Sequence, residues 1–483
     1  MIAAVRTEIE ALEEAAAPLE PDAAARAALM DRAFDHAQHF FADLAEGPAN
    51  RPWDEVFAEP LDPEFAENGR DPATVLAYLG RSVDRPGIAT ASPRFMGYIP
   101  GGGLFHSALG DFLAAAANKY AGFASAAPGA VRLENATIAW LARVVGFPEG
   151  AAGTLTSGGS LANLTAIVAA REARDAGGGG AVYLTRFAHH CIDKALHIAG
   201  RARAPRRLIA TDAAHRMSVA ALAEALDRDR SQGVRPWLVV ASAGTVDTGA
   251  VDPLAEIADL CARHGTWLHV DGAYGGLFML CDEGGAALAG IERADTLALD
   301  PHKTLFLPYG TGAVLARDGR VLLDAFSASA DYIRPLGESD VGPSPADLSP
   351  ELTRHFRALR LWLPLQIAGV AAFRAAQSEK IRLARYFHLR LSELDGWETG
   401  APPDLSVVAF RYRRVRGDID AFNDRLLRRL QEEGRVFLSG TRIEGASWLR
   451  CAILSFRTHL AHIDETIDVL GRTAAALQAE EEK

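Results

Sequence analysis

Several features are missing from this chain, and each absence removes a class of function. No apolar run approaches the roughly 18 residues needed to span a bilayer. The opening stretch, MIAAVRTEIEALEEAAAPLE, carries acidic groups where a secretory signal needs an apolar core. No membrane association is expected. Cysteine is scarce: Cys191, Cys261, Cys281 and Cys451 lie far apart and form no CxxC pair, which argues against a zinc ribbon or a disulfide framework and fits a reducing cytoplasm. Runs of Lys and Arg interleaved with aromatics are also lacking, and the formal net charge is -12, so nucleic acid is not an expected partner. An anionic small ligand would need local positive groups.

What is present suits a globular protein with a large core: 483 residues, 49% hydrophobic and 23% charged, enough for two or three domains. Residues 1–90 are Ala- and Glu-rich with helical periodicity broken by proline. They read as a helical N-terminal arm, too thin in aliphatic and aromatic anchors to hold a core alone, which packs on the main domain or on a partner subunit. Residues 91–345 hold the main α/β domain. It opens with the irregular segment SPRFMGYIPGGG and the helix Ser107 to Ala117, then alternates helix and strand from about 135 to 317. Expected elements include an amphipathic helix at Leu161 to Ala173 with Leu161, Leu164 and Val168 on one face, and strands at Ala181 to Leu184, Leu208 to Thr211 and Trp237 to Ala241. A further helix is capped by Asp252 and closed by Gly265. This order specifies a mostly parallel sheet. Asp331 to Pro350 reads as a long loop, and residues 346–483 as a small α+β domain.

The strand Thr266 to Val270 ends in Asp271-Gly272-Ala273-Tyr274, and Thr296 to Leu299 ends in Asp300-Pro301-His302-Lys303. Parallel strands of one sheet finish on the same edge, where open α/β sheets bind ligands, so Asp271 and Lys303 should share a crevice. Alone, the pair fits either a structural ion pair or a Schiff-base cofactor whose pyridinium nitrogen faces the carboxylate. Thr156-Ser157-Gly158-Gly159-Ser160 stands before an amphipathic helix and suits a phosphate, although Ser and Gly also cap ordinary helices. It lacks the Gly-Lys-Ser/Thr of a P-loop. His189-His190 and Gly244 to Gly249, with Thr245, follow two further strands onto the same edge. His197 has no acid-rich cluster beside it, so no metal is expected. Four strand ends meeting at one crevice favour the Schiff base.

The ordered set TSGGSLAN, AHHCIDKA, HVDGAY and DPHK resembles the group II pyridoxal-phosphate-dependent amino acid decarboxylases, which include the aromatic-L-amino-acid and tyrosine decarboxylases. The resemblance extends to SPRFMGYIP and to FLSGTRIEGASWLRCAILSFRTH, nearly the whole chain. It implies a PLP-dependent transferase fold (fold type I, aspartate-aminotransferase-like), pyridoxal 5'-phosphate as cofactor, and a homodimer with the site near the interface. By the same resemblance Lys303 forms the Schiff base and Asp271 keeps the ring nitrogen protonated. Ala273 and His189 lie on the two ring faces, and Gly159, Ser160 and His302 contact the phosphate, with Thr245 and Asp300 nearby. The implied activity is decarboxylation of an L-amino acid, aromatic as first choice, to the amine and CO2.

Four positions depart from the family pattern: Thr304 where many members have Trp, Val246 where a second Thr is frequent, Asp300 where some have Asn, and Pro345 at the place of the loop tyrosine that protonates Cα. Tyr332 is that loop's tyrosine here, so either Tyr332 or His189 is the expected proton donor. Loss of the loop tyrosine resembles the change that yields aldehyde-forming oxidative deaminases, the alternative outcome. Other reactions of the same cofactor, and a non-catalytic cofactor-binding protein, are the remaining alternatives.

Overall fold

Uninterrupted apolar runs form strands covered on both faces, and the computed structural model, which describes residues 1–51, 65, 67–327 and 341–481, builds its main sheet from them. The chain divides into two compact units, residues 1–89 and 90–483. The first is helical, with Ile2–Ala16, Ala23–Glu46 and Pro72–Leu79 and a two-residue strand pair at Asn50–Arg51 and Gly87–Ile88. Asp22 and Asp71 cap the second and third helices through Ala25 N–H and Thr74 N–H. Helix Ile2–Ala16 buries none of its residues.

The second unit holds a seven-stranded sheet. From edge to edge its strands are Ala152–Thr156, Gly312–Ala316, Thr296–Leu299, Trp267–Gly272, Pro236–Ser242, Ala181–Leu184 and Arg206–Leu208. Gly312–Ala316 runs antiparallel to both neighbours, and the remaining pairs are parallel. Apolar clusters cover both faces, one around Leu155, Val239, Val270 and Leu297, the other around Val182, Leu196, Leu238 and Val240. A second, antiparallel sheet of four strands, Trp397–Thr399, Val407–Tyr412, Ala446–Ala452 and Ser439–Ile443, packs around Phe387, Phe410, Phe422 and Leu470.

Three expectations change. The helix Gly159–Arg174 turns Ala162, Asn163, Ala166, Ala169 and Ala170 inward, while Leu161, Leu164 and Val168 are only partly buried. Ile167 is buried with them, and Leu164 and Val168 pack against the same core cluster. The segment SPRFMGYIP is not a free connector. Phe437 N–H donates to Arg94 O, Met96 N–H to Phe437 O and Ala452 N–H to Met96 O, so it is bonded to the small sheet on two sides. Asp252 makes no helix cap; Pro253 precedes the helix Leu254–His264 without a side-chain cap, while Gly265 closes it in the left-handed conformation as expected. The buried Asp252 carboxylate instead accepts from Met217 N–H and Ser242 N–H, each at 2.7 Å.

Burial pushes the Asp252 carboxyl up to about 6, against the pull of its two N–H donors. A folded value above the unfolded one means the group stabilises fully below the unfolded carboxylate range and loses that contribution as pH rises through about 6. The wild-type unfolding free energy should therefore fall by roughly 2–3 kcal/mol from this group between pH 4 and 7. Asp252→Asn should flatten that part of the profile in chemical denaturation measured across the range.

Candidate active site

Each parallel strand releases its polar residues at the same edge, and these line one cavity of about 300 Å³. Ala152–Thr156 leads into Gly159 and Ser160, and Ala181–Leu184 leads by a short loop to His189. Pro236–Ser242 leads to Thr245, Trp267–Gly272 supplies Asp271 and then Ala273, and Thr296–Leu299 leads to Asp300, His302 and Lys303. All nine were singled out from the sequence. The tenth, Tyr332, lies outside the described residues.

Lys303 stands in the single helical turn Pro301–Thr304, closed by Lys303 N–H donating to Asp300 O and by Phe306 N–H donating to Lys303 O. Phe306 leaves this turn at φ 62°, a left-handed conformation a buried Phe adopts only where its surroundings impose it. The Lys303 ammonium lies 2.9 Å from Asp300 Oδ2, so its ion-pair partner is Asp300 and not Asp271. Burial alone would strip the amine of its proton; the Asp300 carboxylate, with Asp271 behind it, reverses that and raises its pKa above the ordinary lysine value. Thr304 is buried and absent from the cavity wall. Its hydroxyl donates to Tyr274 O, and its carbonyl accepts from Gln377 Nε2 at 3.1 Å.

Gly159 opens a 16-residue helix, and the close packing at this point tolerates only glycine. An added Cβ would stand 2.8 Å from Asp300 Oδ2 and 3.0 Å from Ala273 Cβ. The first helical N–H groups have no partner within the helix and form an anion cradle where the helix dipole is positive. His302 donates from Nδ1 to Thr311 O at 2.7 Å, which leaves Nε2 directed into the cavity, 3.8 Å from Asp300 Oδ2. Burial lowers the pKa of His302 and also that of His189. His189 Nδ1 accepts from Cys191 N–H at 3.3 Å, so the neutral ring carries its hydrogen on Nε2.

These groups fit pyridoxal phosphate. A buried amine, a phosphate-sized cradle that a side chain at residue 159 would fill, a carboxylate at the strand end and Asp300 Oδ1, buried without a hydrogen-bond partner, form one donor and acceptor set. Sequence reasoning missed Asn163, Phe187, Cys191, Ser242 and Tyr274, all on the cavity wall. Asn163 was within reach of it, standing four residues after Gly159 on the same helix face. Tyr274 was not: its hydroxyl is fixed by Ser406, which donates from its backbone N–H at 2.8 Å across a long stretch of chain.

Residues 59–413 match the pyridoxal-dependent decarboxylase conserved domain. The chain is 36% identical over 441 residues to an aromatic-L-amino-acid decarboxylase of Bacillus atrophaeus, covering 89% of this chain and 90% of that protein. It is 32% identical to an L-2,4-diaminobutyrate decarboxylase of Rhizobium meliloti (strain 1021), covering 86% and 85%. Among solved structures, Oryza sativa TDC with PLP and tryptamine superposes with a TM-score of 0.87 at 26% identity, over 95% of this chain and 99% of that one.

Because Asp300 holds Lys303 protonated, the amine must shed that proton before it can attack a carbonyl. Borohydride-trapped incorporation of pyridoxal phosphate into cofactor-free protein should quicken as pH rises from 6 to 9 and vanish in Lys303→Ala. A pH-independent rate would contradict the ion pair's control of the amine.

Proposed function

The chain belongs to the pyridoxal-dependent decarboxylase family, and from that premise we propose that it converts an aromatic L-amino acid to its amine and CO2. It is a PLP-dependent amino acid decarboxylase of fold type I. The observation that carries the reading is the delivery of Lys303, Asp271 and the Gly159 cradle to a single cavity. The aromatic substrate rests on the 36% identical relative, whose name specifies it.

Bound pyridoxal phosphate supplies a carbonyl for the substrate amine and a ring that accepts the electrons left at Cα. Lys303 would hold the cofactor through its amine, and Asp300, 2.9 Å from that amine, would stabilise it whenever it is protonated and free. Asp271 places a carboxylate on the cavity wall, where it would keep a pyridine nitrogen protonated and so favour electron withdrawal. The Gly159 and Ser160 N–H groups and His302 would hold the phosphate and so orient the cofactor against the substrate. Ala273 and His189, both on the cavity wall, would pack against the two ring faces. Protonation of Cα falls to His189, whose Nε2 bears a hydrogen with Nδ1 already engaged, or to Tyr332.

We also propose a homodimer in a reducing cytoplasm. The helix Phe105–Ala117 exposes Phe105, Leu109, Phe112 and Leu113, whose spacing puts them on one face, an apolar stripe suited to a second copy. Tyr309, 54% exposed and 5.7 Å from the His302 ring, extends apolar surface towards the site. All four cysteines are free and buried, as a reducing compartment allows.

Incubation with the common amino acids, assaying CO2, amine, aldehyde and peroxide together, tests the reaction. Amine from an aromatic substrate supports it; aldehyde with peroxide would replace it by oxidative deamination, and no CO2 would overturn it. Asp271→Asn should lower kcat by about 100-fold or more while cofactor still binds. Phe112→Asp should shift the species seen by analytical ultracentrifugation from dimer to monomer, and an unchanged sedimentation coefficient would refute that interface.

A further inference from the structure

Behind Asp271 lies a set of buried polar side chains to which the reaction gives no role. On the strand Trp267–Gly272, side chains alternate between faces, so Trp267, His269 and Asp271 share one. Trp267 Nε1 donates to Thr296 Oγ1 at 3.0 Å. Thr296, the cross-strand partner of His269, lies 3.0 Å from His269 Nδ1. His269 Nε2 is 2.7 Å from Asn163 Oδ1, and Asn163 Nδ2 is 3.4 Å from Cys191 Sγ. His269 is fully buried and Asn163 is 1% exposed. Asn163 and Cys191 both belong to the cavity wall, together with Asp271 and Lys303.

The Asn163 amide presents Oδ1 to His269 and Nδ2 to Cys191; an amide oxygen only accepts, so His269 donates from Nε2 and its Nδ1 accepts the Thr296 hydroxyl hydrogen, while the Trp267 indole N–H takes a lone pair of that hydroxyl. The Cys191 sulfur accepts from Nδ2. With the amide in this orientation every link is satisfied and the chain runs from Thr296 to Cys191. Burial supports it by lowering the His269 pKa to about 4, so the ring is neutral at working pH, and by pushing the Cys191 thiol up to about 12, with Asp271 the carboxylate acting most strongly on it. The sulfur thus keeps its hydrogen and does not spend it on Asn163.

We propose that Thr296, His269 and Asn163 are positioning residues, forming a one-way hydrogen-bond chain that turns the S–H of Cys191 away from Asn163 and into the cofactor cavity beside Asp271. The direction of the chain sets whether that hydrogen is available to the carboxylate and ring. Reversal would flip the amide, put its oxygen against the sulfur and consume the thiol hydrogen there. The proposal rests on a cofactor occupying the cavity, which the absorbance of the wild-type holoenzyme reads separately.

Thr296→Val keeps the side-chain shape and removes the hydroxyl that donates to His269. Its holoenzyme should show a displaced visible absorbance maximum and a cofactor dissociation constant raised roughly 5-fold, the size of one hydrogen bond. Thr296→Ser should behave as wild type. Cys191→Ala should produce the same displacement, and the double variant no more than either alone, because both remove the same terminal donor. Additive displacements, or a folded Thr296→Val with wild-type absorbance and affinity, would overturn the proposal. Should Thr296→Val not fold, Asn163→Leu removes the last link from a helix face and carries the same expectation. A wild-type protein without a visible band would instead count against cofactor binding itself.

Discussion

A charged amine enclosed at the edge of a sheet has lost most of its hydration, and the structure must return what water supplied. Asp300 does so for Lys303 at 2.9 Å. The requirement then passes outward. Asp300 is itself only 2% exposed, so its surroundings must close over it tightly. Gly159 has no side chain because a Cβ there would meet Asp300 Oδ2, and Ala273 is kept small because its own Cβ borders the same space. One ion pair thus limits side-chain size at residues arriving from two other strands.

Much of this was readable before any coordinates. Apolar runs that end in Asp271 and in Asp300-Pro301-His302-Lys303 carry their own message, since a strand buried on both faces can present polar groups only where it stops. The phosphate cradle was legible for a similar local reason, the join of glycine and serine to an amphipathic helix. What could not be read depends on distant partners. Asp252 looked like a helix cap because caps are local, yet its donors, Met217 and Ser242, come from other elements. The face marked by Leu161, Leu164 and Val168 is only partly buried, and the fully buried one carries Ile167 among alanines, a division set by the sheet the helix packs on. The exchange of Asp271 for Asp300 as the lysine's ion-pair partner is also beyond sequence, because both carboxylates reach the same edge and only the turn at Pro301 decides between them.

The departure from the family at residue 304 has a structural reading as well. Thr304 turns away from the cavity and connects the lysine turn to the backbone at Tyr274 and, through Gln377, to the long helix Val370–Ser392. Tyr274 is held in turn by Ser406, just before a strand of the small sheet. The lysine turn is therefore held from the C-terminal part of the chain, although its own residues belong to the large sheet.

The segment around Met96 has a consequence for anyone who would recombine this protein with its relatives. Its backbone is hydrogen-bonded between Phe437 and Ala452, and a few residues later Gly101 fits against the carbonyl of His302 with no room for a side chain. A chimera that exchanged everything after the long loop would leave the front of the chain paired with foreign strands. Modularity stops short of the apparent boundary, and the unit that can be inherited or grafted intact includes both the early segment and the last sheet.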